Sequence, residues 1–228
     1  SGMTHHTHVI GLTGPMGSGK DTVADLLTTH CGAHKLAFAD ALRGEISDAF
    51  NIETVFLTRR ETKEHPLSAL ALAHCLDTAF VGRMIIQHQQ FNDDVLDLNT
   101  PRSPRQIMQW WGTEYRRALE PGYWVRKAAQ RIHYMHKTLS ARLIVITDVR
   151  FDDEAELVRA LGGQIWQIKR PGCEAGSTAH VSEVTGEGFE PNQVINNDHD
   201  LRHLQQLVLG GWAARAWGLP GVRVEVPA

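Results

Sequence analysis

HVIGLTGPMGSGKDT, residues 8–22, divides into a short apolar strand carrying Val9, Ile10 and Leu12, a glycine-rich turn, and the start of a helix continued by Val23, Ala24, Leu26 and Leu27. Gly14, Gly19 and Lys20 fit the spacing G-x-x-x-x-G-K in the strand–turn–helix setting that this pattern requires. Pro15, Met16, Gly17 and Ser18 complete the turn. Glycines at 14, 17 and 19 open backbone angles closed to other residues, so consecutive N–H groups can converge on a phosphate chain. The helix that follows turns its positive end toward the same anion, and Lys20 reaches the outer phosphates.

Asp21 follows the lysine where the pattern has Ser or Thr, and Thr22 comes one residue later. The hydroxyl that usually meets magnesium is displaced or replaced by a carboxylate, and how Asp21 and Thr22 divide that work stays open. A second acid lies at the end of Leu143-Ile-Val-Ile-Thr-Asp148, a β-branched run of the kind buried on both faces of a parallel sheet. An aspartate at such a strand end beside a phosphate loop holds magnesium directly or through water. The alternative for Asp148 is a cap on the next helix, but Asp153 and Glu156 already read as a capping box there. Arg150 follows within reach of phosphates.

At 228 residues, 42% hydrophobic and 21% charged, the chain has the length and composition of one globular domain with a full core, residues 3–228. Ser1-Gly2 ahead of Met3 reads as a cleavage remnant, and no signal peptide or membrane-length apolar run is visible. A net charge of −3 argues against a general binder of nucleic acid or membranes. Cys31, Cys75 and Cys173 are few, odd in number and unpaired in spacing, which predicts a reducing, cytoplasmic compartment without a structural metal.

His34 to Ala39 reads as a second strand, leading into a helix that opens with Asp40 and Arg43. Residues at such a strand end face a ligand crevice, so both are candidate substrate contacts, weighed against a helix cap and a solvated arginine. The charged run Thr58–Glu64 and an Ala/Leu/Ile-rich helix from Pro66 to about Gln89 suggest a helical insert, bounded approximately by residues 51–139. Ser103-Pro104 starts a helix with serine as N-cap. At a period of 3.6, Arg105, Gln109, Gly112 and Arg116 share a polar face, while Ile107, Met108, Trp111, Tyr115 and Ala118 form the core face. Arg105 sits in the first turn, where the helix dipole disfavours a cation, which suggests an anionic ligand. Gly162-Gly163 closes the helix after Asp148, Gln164–Lys169 and Gln193–Asn197 read as strands, and Asp198 opens a last helix. The tail Val222–Val226 suits an edge strand. The long loop at 170–191 suits a lid that expels water during transfer.

A phosphate cradle, an acid pair and many arginines form the parts list of phosphoryl transfer. No catalytic triad is apparent, and none is needed if the acceptor is itself an ionised phosphate. GPMGSGKDTVADLL (14–27), KLAFADALR (35–43), RRETKE (59–64), SPRQIMQWWGTEYRR (103–117), DVRFDDEAELVRALGG (148–163) and HVSE (180–183) together resemble the phage-type deoxynucleoside monophosphate kinases, a P-loop branch related to adenylate kinase. The resemblance implies an α/β fold with a mainly parallel central sheet flanked by helices, a helical substrate-binding insert and a lid loop. It implies ATP and Mg2+ as cofactors and a deoxynucleoside monophosphate as acceptor. By the same resemblance, Asp40, Arg43, Arg59, Lys63, Arg105, Gln109 and Arg116 line the monophosphate pocket. Lys20, Arg150, Arg170 and His180 serve the transferring group, and Asn196 and Asn197 approach the ATP base. A small-molecule nucleotide is the expected partner, with no nucleic-acid polymer or membrane, and a homodimer is allowed. Kinases of phosphomevalonate or dephospho-coenzyme A are the nearest rivals, followed by a nucleotide-binding module without turnover. A GTP switch would need N-K-x-D, which this chain lacks.

Overall fold

A computed structural model of the chain describes residues 6–173 and 190–215. In chain order the elements are β1 (His8–Thr13), α1 (Lys20–Cys31), β2 (His34–Leu36), α2 (Ala39–Phe50) and the single-turn α3 (Val55–Thr58). Two 3₁₀ turns (Ser68–Leu70 and Leu72–His74) precede α4 (Thr78–Phe91), and α5 (Pro104–Gln109) runs straight into a π-helix (Trp110–Arg117). Then come α6 (Tyr123–Lys137), β3 (Leu143–Ile146), α7 (Asp152–Ala160), β4 (Gln164–Lys169), β5 (Gln193–Asn196) and α8 (Leu201–Ala213). The chain divides into two compact units, one of Ser1–Phe38 with Val125–Ala228 and one of Ala39–Trp124.

The first unit is built on a five-stranded sheet in the order β2-β3-β1-β4-β5, with every pairing parallel. All four residues of β3 are buried, as its unbroken β-branched run requires. Strand alternation sends Leu143 and Val145 to one face and Ile144 and Ile146 to the other. Val9, Ile144, Ile146 and Ile165 pack against Ile132 of α6 and Val158 of α7. Ile10, Leu12, Val145 and Trp166 pack against Leu27 of α1 and Leu204 of α8. Each such side chain taken fully from water contributes about 1.5–3 kcal/mol, so the two clusters are the main stabilising term of this unit. The tail at 222–226 and most of the loop at 170–191 lie outside the described residues.

Two local expectations here are corrected. Glu154, rather than an Asp153–Glu156 pair, caps α7: its Oε1 accepts the backbone N–H of Arg150 (2.9 Å) and of Phe151 (3.0 Å). The helix starts two residues earlier than a cap at Asp153 allows. Asp200, not Asp198, caps α8, accepting from His203 N–H at 2.9 Å.

The second unit is helical. The expected helix over 66–89 is instead two 3₁₀ turns, separated from each other by the extended Ala71 and from α4 by a break that begins at the extended Cys75. Asp77 sets the real start, its carboxylate taking the Phe80 N–H at 3.0 Å. Ser103 caps α5 as read from sequence, accepting from Gln106 N–H at 3.1 Å, with Pro104 in the first turn. The α-period then fails. The wider turns of the π-helix keep Ile107, Trp111 and Tyr115 buried at four-residue spacing and leave Ala118 exposed. Gly112, expected on the polar ridge, is buried: a Cβ there would lie 3.4 Å from Leu42, and its carbonyl accepts Trp124 Nε1–H at 3.1 Å.

Phe80 centres this core, with ring centroids 4.5 Å from Trp111, 5.4 Å from Tyr115 and 6.4 Å from Phe50. Truncation by Phe80→Ala is expected to lower the free energy of unfolding by about 3–5 kcal/mol in denaturant titration followed by tryptophan fluorescence. A loss below about 1 kcal/mol would mean that the unit does not depend on this aromatic cluster.

Candidate active site

The glycine turn leaves the carboxyl end of β1, and all three glycines adopt positive φ: 145° at Gly14, 80° at Gly17 and 108° at Gly19. At Gly14 a Cβ would stand 2.4 Å from the carbonyl oxygen of Ile168, and at Gly19 2.5 Å from Asn197 Nδ2. Both positions therefore exclude a side chain by angle and by space. The turn curls tightly enough that Lys20 Nζ donates to Gly14 O at 2.5 Å. Ser18 is fully buried, and its Oγ has no hydrogen-bond partner among the described residues. A buried hydroxyl without a partner in a nest of N–H groups fits an anion better than a packed turn. Pro15 is half-buried, and Met16 at the tip is 61% exposed. Asp21 and Thr22 are exposed in the first turn of α1.

Sheet pairing brings other predicted residues to the same edge of this unit. Val149 N–H bonds to Leu12 O at 3.0 Å, which holds Asp148 beside the end of β1. Asp148 Oδ1 accepts the Phe38 N–H at 2.7 Å, and Arg150 next to this turn is exposed. Arg170 Nη1 donates to Gly17 O at 3.2 Å. Asn197 Nδ2 donates to Ser18 O at 2.9 Å while its own N–H bonds to Lys169 O at 2.7 Å, so it ties the turn to the end of β4. Asn196 is exposed one residue earlier. His180 lies outside the described residues.

The remaining candidates gather in the second unit, where α5 packs against both α2 and α3. Arg43 Nη1 is 3.5 Å from Asp40 Oδ1, and its Nε is buried with no hydrogen-bond partner among the described residues. The Arg105 N–H bonds to Lys63 O at 3.0 Å, joining the charged run to α5, and the Arg105 side chain pairs with Glu64. Arg59 lies 5.8 Å over the Phe56 ring, and Gln109 is exposed.

Arg116 is the best fixed of the set. Glu45 Oε1 accepts its Nε–H at 2.8 Å, and the guanidinium stacks 4.6 Å over Tyr115 and 4.8 Å over Tyr123. Burial alone would lower its pKa, but the charge and hydrogen bond of Glu45 outweigh this and raise it. Glu45 also accepts from Trp111 Nε1 at 2.9 Å and from the Tyr123 hydroxyl. One carboxylate thus orients Arg116 together with two of the aromatic side chains around it. Sequence reading missed Glu45; the signal was an acid flanked by the core residues Ile46, Ala49 and Phe50. Glu154 was missed as well, and Asn197, expected near the ATP base, also holds the turn.

Parallel strands ending in a glycine cradle in one unit, and ordered arginines in the helical other, describe a phosphotransferase of the kinase class. A family model described as deoxynucleotide monophosphate kinase matches residues 55–208, more than half of the chain, and the chain belongs to that family. The match begins downstream of the glycine turn and so does not rest on that widespread motif. The deoxynucleotide monophosphate kinase of Enterobacteria phage T4 is 26% identical over 231 residues, covering 86% of this chain and 95% of the phage protein. A protein of Acanthamoeba polyphaga mimivirus, provisionally given the same name, is 29% identical over 197 residues, covering 82% and 86% respectively. Among solved structures, the dephospho-CoA kinase of Campylobacter jejuni aligns with a TM-score of 0.48 at 14% identity over 90% of this chain and 96% of its own, too distant to bear on the acceptor. No helix among the described residues is long and apolar enough to cross a membrane.

Glu154 links this site to pH. Burial pushes its carboxyl up from 4.5 to about 8, with Asp148 and Asp153 adding repulsion against the pull of the Arg150 and Phe151 N–H groups. The folded chain thus holds this proton to higher pH than the unfolded one. The resulting stabilisation is complete below about pH 4.5 and is lost as pH rises to about 8. Glu154→Gln keeps an acceptor for both N–H groups but cannot ionise. Its Tm is expected to fall less than that of the parent chain between about pH 5 and 8. Parallel Tm profiles would show that Glu154 ionises without cost in the folded state.

Proposed function

We propose that this chain transfers the γ-phosphoryl group of ATP directly to the phosphate of a deoxynucleoside monophosphate, giving the diphosphate. The observation that carries this reading is the extent of the family match: residues 55–208 include Arg59, Lys63, Arg105, Gln109 and Arg116, the groups suited to a second anion.

In this reading the first unit takes the donor. The N–H groups of Gly14 to Gly19 wrap the phosphates, the positive end of α1 faces them, and Lys20 leaves Gly14 O to neutralise the outer phosphate. The orphaned Ser18 hydroxyl and the two positions closed to a Cβ support a cradle made for an anion. Asp148, with Asp21 or Thr22, offers the oxygen donors that Mg2+ requires. The ion, when bound, neutralises charge shared between the outer phosphates. Arg150 and Arg170 supply further positive charge to the transferring group. Asn197 keeps the turn from opening by holding Ser18 O.

The second unit takes the acceptor. Arg43, with a buried and uncompensated Nε, is suited to an anionic oxygen, as are Arg105 and Lys63 on their shared backbone contact. Glu45 uses only the Nε of Arg116 in the bond described, so the fork of terminal N–H groups can meet a phosphate in a set direction. Asp40, Arg59 and Gln109 complete the pocket, and His180 is assigned to the substrate by resemblance alone. A phosphate acceptor is already ionised at neutral pH and attacks without a general base. The chain needs orientation and charge, which arginines provide.

The test is an ADP-release assay with ATP and Mg2+ across the four deoxynucleoside monophosphates, their ribose counterparts, phosphomevalonate and dephospho-coenzyme A. At least one deoxynucleoside monophosphate is expected to drive turnover. Turnover with phosphomevalonate or dephospho-coenzyme A alone would overturn the acceptor. Lys20→Ala is expected to reduce turnover by about 10²–10³ with an unchanged circular dichroism spectrum, the scale of losing one electrostatic stabiliser of the transition state. Full activity in that variant would remove the glycine turn from the mechanism.

A further inference from the structure

Beyond β5 the chain carries a cluster that phosphoryl transfer does not use. Asp198, His199 and His203 each offer one donor atom, and these atoms all lie within 4.8 Å of one another. Asp198 Oδ1 and His199 Nδ1 are 2.6 Å apart, and the two imidazole rings face each other with centroids 4.3 Å apart at 42°. Asp198 and His199 are exposed, whereas His203 is half-buried. His203 Nδ1 is buried and has no hydrogen-bond partner among the described residues. A buried ring nitrogen that has lost water without gaining a partner calls for a ligand or an ordered water.

From this convergence we infer that Asp198, His199 and His203 form a surface site for a Zn2+-class transition ion. The donor set selects the ion. Two imidazoles and one carboxylate suit Zn2+, Ni2+ or Cu2+, whereas Mg2+ prefers an all-oxygen shell rich in water. Ligands about 2.1 Å from one ion can be at most about 4.2 Å apart, so small rotations of the exposed Asp198 and His199 side chains bring all three into range. Three protein donors leave at least one position for water or an exogenous ligand. The amino end of α8 opposes a cation here, and the Asp198 carboxylate and the adjacent Asp200 cap offset it. The site lies one residue beyond Asn197, the residue that holds the glycine turn.

The full chain, stripped with chelator, is titrated with Zn2+ by calorimetry in the presence of excess Mg2+, and with Co2+ followed by its visible d–d absorption. His5→Ser and His6→Ser are introduced throughout, so that the amino-terminal histidines do not contribute. One Zn2+ per chain is expected, with a Co2+ spectrum showing nitrogen ligation. His199→Ala and His203→Ala are each expected to weaken binding by about tenfold or more. Asp198→Asn, on the surface and nearly isosteric, is expected to weaken it while leaving the circular dichroism spectrum and Tm of the metal-free chain unchanged. Absence of binding by the parent, or an isotherm unaltered by the paired histidine substitutions, would overturn the assignment.

Discussion

Parallel pairing of β1 with β3 on one side and β4 on the other is the constraint from which the first unit follows. Three strands running the same way end at one edge, so the turn after β1, Asp148 after β3 and Arg170 after β4 share that edge without any side chain having to reach far. The backbone supplies the details: Val149 bonds to Leu12, and Asn197 bonds to both Lys169 and Ser18. Burial on both faces stiffens the strands. The turn itself, with three left-handed glycines, is shaped by its attachments rather than by its own packing.

The helical unit solves the opposite problem. It has no sheet to align its polar groups, and it orders them around one acid instead. Glu45 gathers Trp111, Arg116 and Tyr123, and the aromatic rings that cover the guanidinium are those that fill the core. Asp77 repeats the device on a smaller scale, capping α4 through Phe80 N–H while accepting the Tyr115 hydroxyl at 3.0 Å. Each acid ties polar donors to the hydrophobic interior, so position and stability are set by the same contacts. The cost of burying a charge is met because each carboxylate is surrounded by donors.

Much of the first unit was legible in the residues because its signals are local or nearly so. The glycine spacing and the β-branched run before Asp148 each name their structure within a few positions, as does the Ser103-Pro104 start in the second unit. What escaped depends on partners distant in sequence. An α-period over 103–118 is the natural reading of Arg105, Gln109, Gly112 and Arg116, and nothing within that stretch says that the turns widen after Gln109. The widening accompanies the packing of Trp111 and Tyr115 against Phe80, more than thirty residues away in both cases. Glu154 was passed over because a capping pair two residues further on looked sufficient. The parallel sheet and family membership could be read from sequence, while the acids that orient the arginines could not.

The π-helix makes the chain unusually sensitive to length at one place. Its wide turns hold more residues each than those of an α-helix, and Arg116 reaches Glu45 from within them. Adding or removing a single residue between Trp110 and Tyr115, with the turn type kept, would rotate everything beyond by roughly a quarter turn. The guanidinium would leave its aromatic stack without one of its contacting residues having been replaced. Relatives are therefore expected to vary in composition through this segment more readily than in residue count.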